Sequence, residues 1–141
     1  MALLRCRESV MSRFRPMLRA QGISEQQWRI LRALMSDGPM RASDLAQDTL
    51  LSAPSLSRLL KSLATRKLIR RTASAQDLRE ARITITDKGR RVVEQIAPLS
   101  EAIYADIAAA VGPPQLDRLY HLLADASARL DAAAGAAADS S

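Results

Sequence analysis

Hydrophobic side chains in the first twenty positions recur every three or four residues, at Leu3, Cys6, Val10, Phe14, Met17 and Leu18. Arg5, Glu8, Ser12, Arg15 and Arg19 lie between them. This spacing predicts an amphipathic helix over 3–20, ended by Gly22. The next start is marked more sharply. Ser24 stands as an N-cap, Gln27 completes a capping box, and Ile23 and Trp28 are placed for a hydrophobic staple. The helix they open carries Ile30, Leu31, Leu34 and Met35 and stops at Gly38-Pro39. Residues 41–48 predict a short helix with Ala42, Leu45 and Ala46 turned inward. A tight Thr-Leu-Leu connection follows. Ser52 then caps another helix, which tolerates Pro54 in its first turn. Leu56, Leu59, Leu60 and Leu63 form its inner face, and Ser55, Ser57, Arg58 and Lys61 are left pointing outward.

After Leu68 the period changes. Residues 69–72 read as one short strand, and the alternating residues 81–85 as a second, joined by a polar hairpin tip. Thr86 caps a long helix bearing Val92, Val93, Ile96, Leu99, Ile103, Tyr104 and Ile107, which Pro98 is expected to kink. Gly112-Pro113-Pro114 breaks the chain, and a last helix shows Leu116, Leu119, Tyr120, Leu123 and Leu130. The low-complexity end, 132–141, is expected to be a disordered tail. The order α-α-α-α-β-β-α-α, with no repeat and no βαβ unit, predicts a mainly α fold with a small β-wing.

Composition supports this reading. The 141 residues are 48% hydrophobic but only 3% aromatic, so the core must be built from Leu, Ile, Met and Ala, which favour helices. Net charge is +6, and its distribution matters more than its size. Residues 58–91 hold eleven basic and three acidic side chains, a net +8, and the remainder carries −2. A positive field so concentrated points to a polyanion, most often nucleic acid. The single cysteine, Cys6, excludes an intrachain disulfide. No signal peptide and no membrane-spanning run are visible, so a soluble, cytoplasmic protein with no membrane partner is expected. No Gly-rich phosphate loop, metal cluster or nucleophile constellation is present, so neither an enzyme nor a cofactor is expected.

Two helices joined by a short turn, then a basic hairpin, describe a winged helix-turn-helix, in which the second helix reads DNA. Its outward Ser52, Ser55, Ser57, Arg58 and Lys61 suit a groove: the small side chains permit close approach, the hydroxyls bond phosphates or base edges, and Arg can pair with guanine. Arg41 is placed to meet phosphate, and Arg70 and Arg82 add charge from the hairpin. At its tip, Arg79 suits the narrow minor groove, and Asp77 is spaced to hold its guanidinium. The competing reading is a protein-interaction module whose basic strip meets an acidic partner.

The segments SAPSLSRLLKSLATRKLIRR and DLREARITITDKG resemble the MarR family of bacterial regulators. The second fits that family's wing pattern, Asp-x-Arg, a strand, then Thr-x-x-Gly, at Asp77, Arg79, Thr86 and Gly89. RESVMSRFRPMLRAQGISEQQWRILRAL is similar to the subgroup that represses homoprotocatechuate and related aromatic-acid degradation operons. The resemblance covers residues 3 to about 130. It implies an obligate homodimer, double-stranded DNA with an inverted repeat as target, repression relieved by a ligand, and an effector pocket between the dimer region and the DNA-binding lobe. Lys67 departs from the family where Gly is usual, and Arg41 where a Ser or Thr cap is common.

The dimer is also expected from the residues themselves. The apolar faces of the first and last two helices exceed what a small lobe can close on itself, and a symmetric partner would bury them. Residues 3–22 and 90–131 thus read as a helical dimerisation region, and 24–88 as the DNA-binding lobe. A small aromatic carboxylate needs a cation and an apolar wall. Arg15, beside the helix-distorting Pro16, is the expected carboxylate partner, with Met11, Phe14 and Trp28 as walls and Arg32 one turn beyond Trp28. The alternative is that Arg15 forms an interface ion pair and Trp28 is core. Hydroxyphenylacetates, hydroxybenzoates and hydroxynicotinates all fit the requirement. Cys6 reads as a small buried hydrophobe; a peroxide sensor is the alternative, although only Arg5 and Arg7 are there to activate it. His121 reads as isolated, without a second ligand at metal spacing.

Overall fold

The computed structural model describes residues 1–73 and 81–138, which divide into two compact units, Met1–Glu101 and Ala102–Ser141. In the first, α1 (Ala2–Ala20) ends at Gly22, whose φ is 66°. The capping box then opens α2 (Glu25–Asp37): the Ser24 hydroxyl accepts from the Gln27 N–H at 3.1 Å, and the Ser24 N–H donates back to Gln27 Oε1 at 3.0 Å. Ile23 and Trp28 are both buried, as a staple requires.

Gly38 turns the chain into β1 (Met40–Arg41), a strand absent from the sequence reading. Two residues after a proline are too few to show alternation. α3 (Ala42–Thr49) buries Leu45 as expected, but Ala42 is exposed and Ala46 half-buried. The second inward residue is Thr49, whose hydroxyl is satisfied by the Leu45 carbonyl at 2.5 Å. After a three-residue connection, Leu50 to Ser52, comes α4 (Ala53–Thr65), where the Ser52 hydroxyl accepts from the Ser55 N–H at 3.3 Å.

β2 (Ile69–Ala73) and β3 (Ala81–Ile85) pair antiparallel, and β1 joins on the other side, giving the order β1-β3-β2. Register places Ile69 opposite Ile85, Arg70 opposite Thr84 and Arg71 opposite Ile83. The core of this unit gathers Phe14 and Leu18, Ile30, Leu31 and Leu34, Leu45, Leu56, Leu60 and Leu63, Leu68, Ile83 and Ile85, and Val93 and Ile96. Each buried aliphatic side chain contributes about 1.5–3 kcal/mol.

α5 (Asp87–Val111) starts at the base of the hairpin, where the Thr86 hydroxyl caps the Gly89 N–H at 3.1 Å and donates to the Lys67 carbonyl at 2.7 Å. Gly89 is required there: a Cβ would sit 2.2 Å from the Leu68 carbonyl oxygen. This is the physical content of the Thr-x-x-Gly pattern. The helix stays continuous across Pro98 and passes from the first unit into the second.

The second unit comprises the end of α5 and all of α6 (Pro113–Ala138). Ile107 is buried, whereas Tyr120, Leu122, Leu123 and Leu130 are exposed. α6 reaches Ala138, so residues 132–138 are helical where a disordered tail is expected from composition. Alanine has the highest helix propensity, and its run outweighs the single Gly135. α1 and the start of α5 fall in the same compact unit as the winged lobe. Among the described residues no helix is long and apolar enough to cross a membrane.

Candidate nucleic-acid interface

α4 presents one polar and one apolar face. Ser57, Arg58 and Lys61 are exposed on it, while Leu56, Leu60 and Leu63 anchor the opposite side. Ser52 is exposed, but its hydroxyl serves as the helix cap, and it also donates to the Ser55 hydroxyl at 2.9 Å. These two serines therefore position α4 before they contact anything else.

Strand register sorts the wing cations. Ile69, Arg71, Ile83 and Ile85 share the face of the sheet that packs toward α4. Arg71 consequently lines an open cleft of about 620 Å³ with Pro54, Ser57, Arg58, Lys61, Ala64 and Thr65. Arg70 pairs with Thr84, and Arg82 with Arg41 across β1, all on the outer face. The hairpin cation on the α4 side of the sheet is thus Arg71, a residue the sequence reading did not single out as it did Arg70 and Arg82. Counting by twos from the buried Ile69 would have found it. Arg41 is exposed and stands at the N-cap of α3, with no side-chain cap hydrogen bond. Asp77 and Arg79 lie outside the described residues.

The residues expected to hold a ligand are only partly gathered. Phe14 and Trp28 are buried and Met11 is half-buried. The Arg15 guanidinium is already engaged: Nε meets Glu25 at 2.6 Å, and its terminal nitrogens grip Glu8, one of them at 2.8 Å. Arg7 also reaches Glu25, at 2.8 Å. The Arg15 hydrogen bond holds the Glu8 carboxyl below its ordinary range. At Glu25 partial burial pushes upward, but the hydrogen bonds from Arg15 and Arg7 prevail and the net shift is down. Arg15 itself is shifted up, first by Glu8 and then by Glu25. Arg15 is therefore an intrachain clamp between α1 and the start of α2. Arg32 is exposed and stands 5.8 Å above the Trp28 ring, a cation–π arrangement. It also lines a cleft of about 280 Å³ with Arg29, Ser36, Asp37 and Asp48. Cys6 is exposed. His121, read as isolated, faces Asp117 one turn earlier at 3.6 Å, with both side chains in solvent.

A reader helix, its capped start and a cationic hairpin define a winged helix-turn-helix DNA-binding protein. Residues 21–80 match the model of the MarR family. The chain is 34% identical to the homoprotocatechuate degradative operon repressor of Escherichia coli, over 86% of this chain and 82% of that one. It is 32% identical to the HTH-type transcriptional regulator FarR of Neisseria gonorrhoeae, over 87% of this chain and 84% of that one. The crystal structure of NadR in complex with 4-hydroxyphenylacetate superposes with a TM-score of 0.76 at 32% identity, covering 88% of each chain. The protein belongs to the MarR family and is a transcriptional regulator.

Proposed function

We propose that this regulator is a homodimeric repressor of an aromatic-compound catabolic operon, released from an inverted-repeat operator by a small aromatic acid. The observation that carries the DNA half is the convergence of Arg58 and Lys61 on α4 with Arg71 on β2 around one open cleft. Three cations from two elements on one face suit a phosphate backbone flanking a major groove. Ser57 and Arg58 are the base-reading candidates. Arg41, Arg70 and Arg82 form an outer set that meets flanking phosphates, and Arg79 with Asp77 is assigned to the minor groove. Tyr120, Leu122, Leu123 and Leu130, all in solvent in the single chain, support the dimer.

The effector half rests on Trp28 and Arg32, with Phe14 and Met11 as further apolar wall. Arg15 spends its hydrogen bonds on Glu8 and Glu25, so Arg32 is the carboxylate partner and Arg15 ties α1 to the start of α2. Asp37 and Asp48 disfavour an anion at the α3 end of the neighbouring cleft and direct it toward the Trp28 side. Relatives named for homoprotocatechuate degradation and the NadR complex with 4-hydroxyphenylacetate support an aromatic acid as ligand. The test is fluorescence anisotropy on a duplex selected by the protein from a random pool. Added 4-hydroxyphenylacetate, 4-hydroxybenzoate or 6-hydroxynicotinate should release the duplex. If none of the three releases it or raises the melting temperature, the effector class is wrong.

A further inference from the structure

Three helix ends in this chain are built on one pattern. After α1, α3 and α4 a residue takes left-handed backbone, and the following N–H bonds the carbonyl five positions back. At Gly22 φ is 66°, and Ile23 reaches the Leu18 carbonyl at 3.0 Å. At Leu50 φ is 54°, and Leu51 reaches that of Ala46 at 3.0 Å. At Lys67 φ is 59°, and Leu68 reaches that of Leu63 at 3.0 Å. Glycine suits this position because a Cβ crowds the backbone there. Lys67 accepts the crowding and sends a solvated ammonium into water. Leu50 has neither justification. It is a γ-branched apolar side chain in left-handed backbone, and it is 85% exposed. Two local preferences are broken at one residue, which is where function tends to be found.

Its position says what it meets. Leu50 lies two residues before Ser52, the N-cap of the reader helix, at the end that enters the major groove in this class of fold. A protein partner would call for a contiguous apolar patch. Here Gln47, Asp48, Ser52 and Ala53 are exposed, Leu51 is half-buried, and Leu50 is the one fully exposed large apolar side chain of the segment. DNA presents isolated apolar groups of matching size in that groove, the thymine 5-methyls. We propose that Leu50 is a specificity-determining residue whose isobutyl group packs on a thymine methyl in each half-site. This rests on the DNA face described above. Left-handed backbone then acts as a bracket that holds the side chain away from the protein's own core.

The experiment uses the full-length protein and a duplex it has selected from a random pool, with each thymine replaced in turn by deoxyuridine, which lacks only the methyl. For the wild type, one symmetric pair of replacements should weaken binding about tenfold. Leu50→Gly should melt at a higher temperature than the wild type, bind the all-thymine duplex about tenfold more weakly, and no longer distinguish thymine from deoxyuridine at that pair. Leu50→Met, which keeps an apolar reach, should preserve the distinction. Unchanged binding by Leu50→Gly overturns the proposal, as does a loss that leaves the thymine preference intact. A wild-type protein that enriches no sequence from the pool would instead overturn the DNA reading itself.

Discussion

Occupancy decides what an arginine does. Arg15 and Arg32 lie on neighbouring helices, yet one is closed by two carboxylates and the other sits on an aromatic face. Sequence spacing could not separate them, because the partner Glu25 belongs to the next helix and comes within reach only after the turn at Gly22. Substituting Arg32 with Gln should leave operator affinity within about twofold of wild type, since a surface change away from the DNA face costs little. Ligand response should be lost, as read by anisotropy with added 4-hydroxyphenylacetate. A normal response would place the carboxylate elsewhere. The clamp itself makes a prediction about acid. Glu8 and Glu25 both titrate below their ordinary value of 4.5 in the folded chain. Their contribution to stability is therefore complete above the unfolded value and fades as pH falls through the folded ones. Scanning calorimetry should show a melting temperature that drops below about pH 4.5, and Glu25→Gln should be less stable at neutral pH but flatter in that range. Parallel curves for the two proteins would show that the ion cluster contributes nothing.

Elements with a local chemical signature could be read from the chain. The capping box at Ser24 and Gln27, the cap at Ser52 and the Thr86 start all form as their residue types require. What escaped the sequence had no local signal. β1 is two residues long and exists only because β3 offers it an edge. Arg71 needed a register, and the Ala-rich end of α6 could be taken for disorder because composition alone cannot weigh propensity against solvation. Gly89 shows the reverse, a small residue whose reason lies entirely in packing. Gly89→Ala should destabilise the protein by about 2–3 kcal/mol, because the added carbon meets a backbone oxygen that no side-chain rotation can move. Urea unfolding would measure it, and a value near zero would mean that α5 shifts freely on the hairpin base. Ser52→Ala should cost about 1 kcal/mol through the lost cap, on top of any effect on DNA binding.

At the scale of the whole molecule, the two units differ in how well they are closed. The winged unit carries most of the buried residues, whereas in α6 every described side chain from His121 to Ala136 is exposed. Pairing of two chains should cover the apolar ones, so the melting temperature should climb by roughly 2–3 °C per tenfold rise in protein concentration. Leu123→Glu combined with Leu130→Glu should sediment as a monomer while keeping the circular dichroism of the winged unit. A concentration-independent melt, or a double variant that stays dimeric, would refute the pairing surface. The bare helix has a cellular consequence. Under the proposed pairing, a solitary chain would offer proteases and chaperones an apolar segment that a paired chain hides, and newly made subunits would be cleared unless they met quickly. The species proposed to grip both half-sites would then vary with the square of the synthesis rate at low abundance. An operon governed this way would acquire a threshold in regulator dosage without any cooperativity on the DNA, and a halved gene copy number would relieve repression more than twofold.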